Sequence, residues 1–296
     1  MEDYNLMSLL TKNYLEVKKY KGYKVRDSIK NIVLKIGLKL YELTDVKNIL
    51  LRPKIQFIYI HHVFDDEVFN FDKLILKLMK TNTFITHSDA ISRIENNLID
   101  KPYISISSDD GFKNNLNAAK ILDKYNIKCC FFVNPDSIGL KGFDHIENYC
   151  KNKLNMPPVE FLEWEDILYL KKNGHEIGSH SIGHLNFSKL NERAINDNLI
   201  ESKQILESKC NKINHFAYPY GRLIDFNKMS YDAVFKTGYS SCSSAIRGCH
   251  FPSKTNTKRI IIKRDIVIMD HNFSNIFYFI YKNSYGNDQT FLNPFL

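Results

Sequence analysis

The stretch Pro102-Tyr103-Ile104-Ser105-Ile106-Ser107-Ser108-Asp109-Asp110-Gly111 decides how the chain is to be folded. Its first six residues read as a β-strand, and Asp109-Asp110-Gly111 sits at the C-terminal end of that strand. The same arrangement recurs on both sides of it. Ile55 to Ile60 runs into His61-His62, His175 to Ser179 runs into His180, and His215 to Tyr218 is closed by Pro219-Tyr220-Gly221. Cys129 to Val133 is a fully apolar strand, and further strands are expected at 239–244 and 259–268. Helices fill the intervals: Phe71 to Met79, a helix capped by Ser88 and running to Asn96, Asn114 to Tyr125, Glu163 to Lys172, Leu190 to Lys209, 228–236 and 273–283. Residues 140–160, with Pro157-Pro158, read as a long irregular insertion.

Strand and helix alternate with connections too long for hairpins, which implies parallel strands joined by right-handed helical crossovers. No G-x-G-x-x-G follows a strand, and this argues against a nucleotide-binding doubly wound sheet. In a ring of parallel strands the C-terminal ends share one rim, and the residues of marked chemistry all fall there. The expected fold is α/β: a distorted or incomplete (β/α) barrel over residues 51–296, preceded by a helical, basic extension over residues 1–50.

The charge is unevenly placed. Of the net +8, the segment from Lys12 to Lys39 carries nine basic and two acidic residues, +7 by itself. A nucleic-acid-binding protein would carry such charge on its folded body among aromatics, so no nucleic-acid partner is expected. In the extension Ile29, Ile32, Val33, Ile36, Leu40 and Leu43 recur at three- and four-residue intervals, with Lys30, Lys35 and Lys39 off the stripe. Two fates are open to such a helix. It can lie on an anionic membrane surface through residues 28–43, or it can pack its stripe on the domain with its lysines in water, the commoner outcome. No run of about 18 apolar residues occurs, so no membrane-spanning helix is expected. Met1-Glu2-Asp3-Tyr4 lacks the basic start and apolar core of a secretory signal. Six cysteines without C-x-x-C spacing suit a reduced, cytoplasmic protein, peripheral to the inner face of the membrane if the first fate holds.

His180-Ser181-Ile182-Gly183-His184 offers two imidazoles four residues apart. A helical turn would stack them on one face, and the flanking serine and glycine make a loop equally suitable. With Asp110 as a third ligand and a position left for water, they form a common catalytic metal arrangement. The imidazoles favour zinc, while iron(II), cobalt and nickel also suit two histidines and a carboxylate. In a regular strand Asp109 and Asp110 would point to opposite faces, but beside Gly111 one can bind metal while its neighbour faces the metal-bound water. Asp109 is then the base. Tyr220 can donate a backbone N–H to a developing oxyanion, which Pro219 cannot. His61-His62 read as supporting or core residues rather than ligands, and Trp164 as packing rather than a sugar platform.

Ser108-Asp109-Asp110-Gly111, then His180 to His184, then Phe216-Ala217-Tyr218-Pro219-Tyr220-Gly221 resemble the motifs of the polysaccharide deacetylases with a NodB-homology domain, carbohydrate esterase family 4. Glu163-Trp164, the lead-in Gly174 to Ser179 and the strand ending in His61 are similar as well, and the likeness spans residues 55–270. The resemblance implies a metal-dependent carbohydrate N-deacetylase, a hydrolase of linear amide C–N bonds. It would remove an N-acetyl group from a sugar, and the absent signal together with the basic N-terminal helix points to a nucleotide-linked or lipid-linked glycan precursor of surface-glycan assembly. The resemblance also implies Asp109 as base, Asp110, His180 and His184 as metal ligands, and Tyr220 as oxyanion donor. Two departures stand out. Many members carry an arginine where this chain has Ala217, so Arg222, Arg247, Arg259 or Arg264 would have to support Asp109. The late Leu-x-His motif, source of the family's general acid, has its nearest counterpart in Ile266 to His271 with the histidine displaced by one. His271 is therefore the general-acid candidate, with His250 behind it. The departures keep two rivals open: a barrel that binds carbohydrate or acts as a scaffold without turnover, and a hydrolase of a different amide such as a small imide.

Overall fold

The structure is a computed structural model that describes residues 9–22, 25–42, 46–253, 258–269, 273–285 and 295. β1 (Lys54–Ile60), the short β2 (Thr83–Phe84) and β3 (Pro102–Ser108) begin its sheet. The Ile-Ser alternation of β3 orients everything else. Ile104 and Ile106 share the main core with Leu74, Ile75, Ala118 and Leu122 of the flanking helices, whereas Ser107 faces the lumen. β1 lies parallel to β3 along its whole length, Lys54 opposite Pro102 and Ile60 opposite Ser108. β4 (Cys129–Val133), β5 (Glu176–Ser179), β6 (His215–Ala217) and β7 (Ser241–Ser243) follow outward in order, every pairing parallel.

Where one strand was expected at 259–268, the structure has two pieces with different partners. β9 (Ile261–Ile262) pairs with β7, Lys263 intervenes, and β10 (Arg264–Ile266) pairs with β1. This jog joins the two ends of the sheet, so the chain adopts the distorted (β/α) barrel expected of it. β8 (Cys249–His250) is antiparallel to the start of β1, the one such strand among the described residues.

The helices are α1 (Tyr14–Lys21), α2 (Val25–Glu42), α3 (Val46–Leu50), α4 (Val68–Met79), α5 (His87–Glu95), α6 (Asn115–Lys124), α7 (Phe143–Tyr149), α8 (Trp164–Lys172), α9 (Glu192–Cys210), α10 (Lys228–Lys236) and α11 (Ser274–Ser284). α5 begins at His87 because Thr86, not Ser88, caps it: the Thr86 hydroxyl accepts from the Asp89 N–H at 3.1 Å. Ser88 Oγ instead meets His215 Nε2 at 2.8 Å. The insertion at 140–160 is ordered, with α7 running into a π-helical turn, Cys150–Leu154. Ile146, Tyr149, Cys150, Met156 and Phe161 pack there into a second cluster with Phe64 and Phe112. α1 belongs to the same cluster through Val17, which is 1% exposed. Its start is tied to the body where the Tyr14 N–H donates to the Asp66 carboxylate and the Thr11 N–H to the Pro158 carbonyl.

α2 corrects the commoner expectation for its stripe. Ile29, Ile32, Val33, Ile36 and Leu40 are all 56–60% exposed, and the helix docks through Leu34, Leu38 and Gly37 instead. Gly37 sets that choice, since a Cβ there would stand 2.6 Å from the Tyr278 ring on α11. Leu43 lies outside the described residues. Among the described residues no helix is long and apolar enough to cross a membrane.

Candidate active site

The C-terminal strand ends open into a cavity of about 460 Å³. Asp109 continues the inward series of β3, because Ser105, Ser107 and Asp109 are spaced by two. One guanidinium nitrogen, Arg264 Nη1, donates to both Ser107 Oγ (3.1 Å) and Asp109 Oδ1 (2.7 Å). Arg264 Nη2 donates to Asp109 Oδ2 at 2.8 Å, which makes the pair bidentate, with side chains only 1% and 4% exposed. Arg264 arrives on β10, held by a bond from its Nε to the Ser244 carbonyl (2.8 Å) and lying over the Tyr59 ring. The other three arginines left open by the sequence are engaged elsewhere: Arg222 with Asp225, Arg247 with Asp265, and Arg259 over the Phe235 ring.

Asp110 breaks the alternation. With φ of 71° at Asp110 and 72° at Gly111 the chain turns sharply, and the second carboxylate enters the cavity too. Ser181 (69°), His184 (48°) and Tyr220 (63°) share this left-handed backbone, so a loop rather than a helical turn brings His184 back beside His180. Asp110, Ser181, His184 and Tyr220 thus each carry a strain on the order of 1–2 kcal/mol, gathered at one rim.

His180 Nε2 and His184 Nε2 stand 3.4 and 3.6 Å from Asp110 Oδ1, a buried oxygen that accepts no hydrogen bond. His180 Nδ1 donates to the Ala217 carbonyl at 2.7 Å, which leaves the Nε2 lone pair facing Asp110. Ligand atoms about 2.0–2.2 Å from a tetrahedral ion stand about 3.3–3.6 Å from one another, which is the spacing found here. The nitrogen, nitrogen, oxygen set therefore fits a divalent metal, and it is the group of metal-binding geometry among the described residues. Burial works to raise the Asp110 carboxyl, but His180, with His184 and His61, holds it well below the usual carboxylate range. Burial lowers the His184 pKa to about 4, while at His180 the Asp110 and Asp109 carboxylates outweigh burial and raise it.

Tyr220 projects from the turn after β6 with its ring against His184, centroids 4.8 Å apart, and its N–H makes no hydrogen bond within the described chain. Gly221 is required there, because a Cβ would fall 2.5 Å from the Ala245 nitrogen. His61 lines the cavity without joining the triad, and His62 pairs with Glu67 at 2.8 Å. Trp164 packs against the main core. His250 sits opposite Ile55, at the far end of β1 from the rim, and its Nε2 accepts the Lys263 N–H. His271 lies outside the described residues. Sequence reasoning missed Tyr14, Lys21, Lys151 and Lys153, which also line the cavity. The excess of lysine in the extension was the only sign of any of them.

The sequence model of the polysaccharide deacetylases matches residues 97–241. Over that span, about half its length, the chain is similar to the polysaccharide deacetylases. The matched span holds Asp109, Asp110, His180, His184 and Tyr220 and stops short of Arg264. YxkH of Bacillus subtilis (strain 168), assigned provisionally to the same family, is 27% identical over 138 residues, 46% of this chain and 42% of YxkH. The match thus spans less than half the length of that relative. IcaB from Ammonifex degensii superposes with a TM-score of 0.62 at 17% identity, over 77% of this chain and 99% of IcaB. The Streptococcus pyogenes deacetylase PplD, solved with acetate, superposes with a TM-score of 0.58 at 17% identity, over 77% and 98%. At such identities the likeness is one of fold. Carbohydrate esterase family 4 deacetylases are metal-dependent, and Asp110, His180 and His184 give this chain a donor set that could hold a metal.

Proposed function

We propose that this polysaccharide deacetylase homologue is a metal-dependent carbohydrate N-deacetylase, converting water and an N-acetylated sugar into acetate and an amino sugar. The observation that carries this reading is the meeting of Asp110, His180 and His184 beside an Asp109 locked by Arg264. A divalent cation held by Asp110, His180 and His184, zinc for preference, would polarise the amide carbonyl and acidify the attacking water. Asp109 takes the proton of that water, with the guanidinium fork keeping its carboxylate from rotating away. His271 as general acid would give a proton to the nitrogen as the C–N bond breaks. The Tyr220 N–H donates to the carbonyl oxygen as it gains charge. Residues 51–296 hold the proposed base, ligands and oxyanion donor, while the basic extension of residues 1–50 adds Tyr14 and Lys21 to the cavity lining. The assay is acetate release from N-acetylated sugars with bound metal quantified. Asp109→Asn should abolish release while metal content stays. Metal-loaded wild-type protein that releases acetate from none of them overturns the reading.

The exposed stripe of α2 supports a peripheral membrane contact through residues 28–43 in the same reading. Five aliphatic side chains on one face, with exposed Lys35 and Lys39 beside them, suit an anionic bilayer surface. Six free, buried cysteines favour a reducing compartment and so the cytoplasmic face, where nucleotide-linked or lipid-linked glycan precursors are within reach. Co-sedimentation with anionic but not neutral phospholipid vesicles, lost in Ile32→Glu/Ile36→Glu, is the expected result. Equal sedimentation of parent and variant refutes the contact.

A further inference from the structure

The cavity holds more positive charge than amide hydrolysis requires. Lys21 at the end of α1, and Lys151 and Lys153 in the π-helical turn, line it together with Arg264. Four cations face two carboxylates, Asp109 and Asp110. Arg264 is committed to Asp109, and a divalent metal at Asp110 would widen the excess. None of the three lysines has an ion-pair partner among the described residues. Partial loss of water lowers the Lys21 pKa, and Asp110, acting across the cavity, opposes that shift.

The fold holds these lysines where they are. α1 is pinned at its start by Asp66 and Pro158 and in its middle by buried Val17. The π-helical turn is closed by the Met156 N–H on the Cys150 carbonyl (3.0 Å) and by Asn155 in left-handed conformation. Single π-helical turns are rare and are found frequently at functional sites. Like charges gathered around one opening repel one another, and an anion seated among them relieves the repulsion. Tyr14, its ring tilted against His62 with centroids 5.2 Å apart, and Tyr220 add ring faces to the same cavity.

We propose that the acetylated sugar bears a phosphate group, held by Lys21, Lys151 and Lys153 at the cavity mouth while its N-acetyl group reaches Asp110, His180 and His184. The inference rests on the deacetylase reading and narrows its substrate class. A phosphate brings up to about two negative charges and three strong acceptor oxygens, which ammonium groups on flexible stems can meet from several directions. A neutral polysaccharide has no group for them to hold.

The test uses the metal-loaded full chain and four substrates: N-acetylglucosamine, its 1-phosphate, its nucleoside-diphosphate form and its polyprenyl-diphosphate form. Binding of inorganic diphosphate is measured alongside by calorimetry. Phosphorylated substrates should be preferred. Lys21→Ala/Lys151→Ala/Lys153→Ala should lose about 10- to 100-fold in kcat/KM on them, mainly through KM, with a weaker salt dependence. Diphosphate affinity should fall in parallel, and any affinity owed to the metal is common to both proteins. The best of the three phosphorylated substrates tells a nucleotide source from a lipid one. Equal turnover of N-acetylglucosamine and its phosphates, with the triple variant unaffected, overturns the phosphate site and leaves the deacetylase standing. Loss of diphosphate affinity in the variant, with no acetate from any substrate, upholds the anion site and overturns the deacetylase.

Discussion

Arg264→Met tests how Asp109, the base proposed above, is held. The side chain keeps its length and loses its charge, leaving the Asp109 carboxylate, only 4% exposed, without the cation that both its oxygens use. Breaking one side of a buried pair costs about 3–5 kcal/mol, because the surviving ion stays out of water. At about 2–4 °C per kcal/mol for a domain near this size, the melting temperature should drop by about 6–20 °C. Adding Asp109→Asn removes the stranded charge, so the double variant should be more stable than Arg264→Met alone although it carries one more substitution. Urea unfolding of parent, both singles and the double gives the coupling energy, and metal content and acetate release are read on the same samples. Arg264→Met should keep its metal and lose turnover. An Arg264→Met protein within about 1 kcal/mol of parent, or a double variant whose loss is the sum of the singles, refutes the coupled pair.

His184→Ala should bring bound metal well below one equivalent by elemental analysis and remove acetate release with it; full retention of metal would show that the three side chains are not its ligands. At the opposite end of the barrel, burial works to raise the Glu176 carboxyl, but His215 and His87 with the Ser88 hydrogen bond hold it at about 2 instead of 4.5. Its contribution of roughly 3 kcal/mol is complete above pH 4.5 and fades as pH falls toward 2. His87, lowered by burial, loses stability in the same direction below 6.5. Melting curves of parent and Glu176→Gln should therefore converge between pH 4.5 and 2, and parallel curves would contradict the assignment. Gly221→Ala, forced into φ of 71° against Ala245, should destabilise by about 2 kcal/mol and slow acetate release; an unchanged melting temperature would sink the steric account.

The barrel and the cluster at its rim were legible because β1, β3, β5 and β6 each lead into residues whose types are informative in combination. Carboxylates and imidazoles at strand ends carry chemistry wherever the fold is parallel. Arg264 was not resolvable in the same way. Four arginines looked equivalent, and only the jog at Lys263 turns one of them onto Asp109, 155 residues away. The stripe on α2 was visible as a period, but periodicity does not say which face a neighbour covers, and Gly37 decided that. Residues 140–160 lacked a helical apolar repeat and so passed for a loop, although α7 and the π-helical turn place Lys151 and Lys153 on the cavity. Thr86 and Ser88 are both good cap residues, and which one serves depends on where His215 needs a hydroxyl.

The strand that closes the ring also delivers the guanidinium that grips Asp109. A ribosome releases Asp109, Asp110 and both rim histidines well before residue 264 emerges. With the roles proposed above, an unfinished or C-terminally clipped molecule can grip a cation and still be silent. On the proposed mechanism, turnover would wait until β10 is seated and Arg264 meets Asp109.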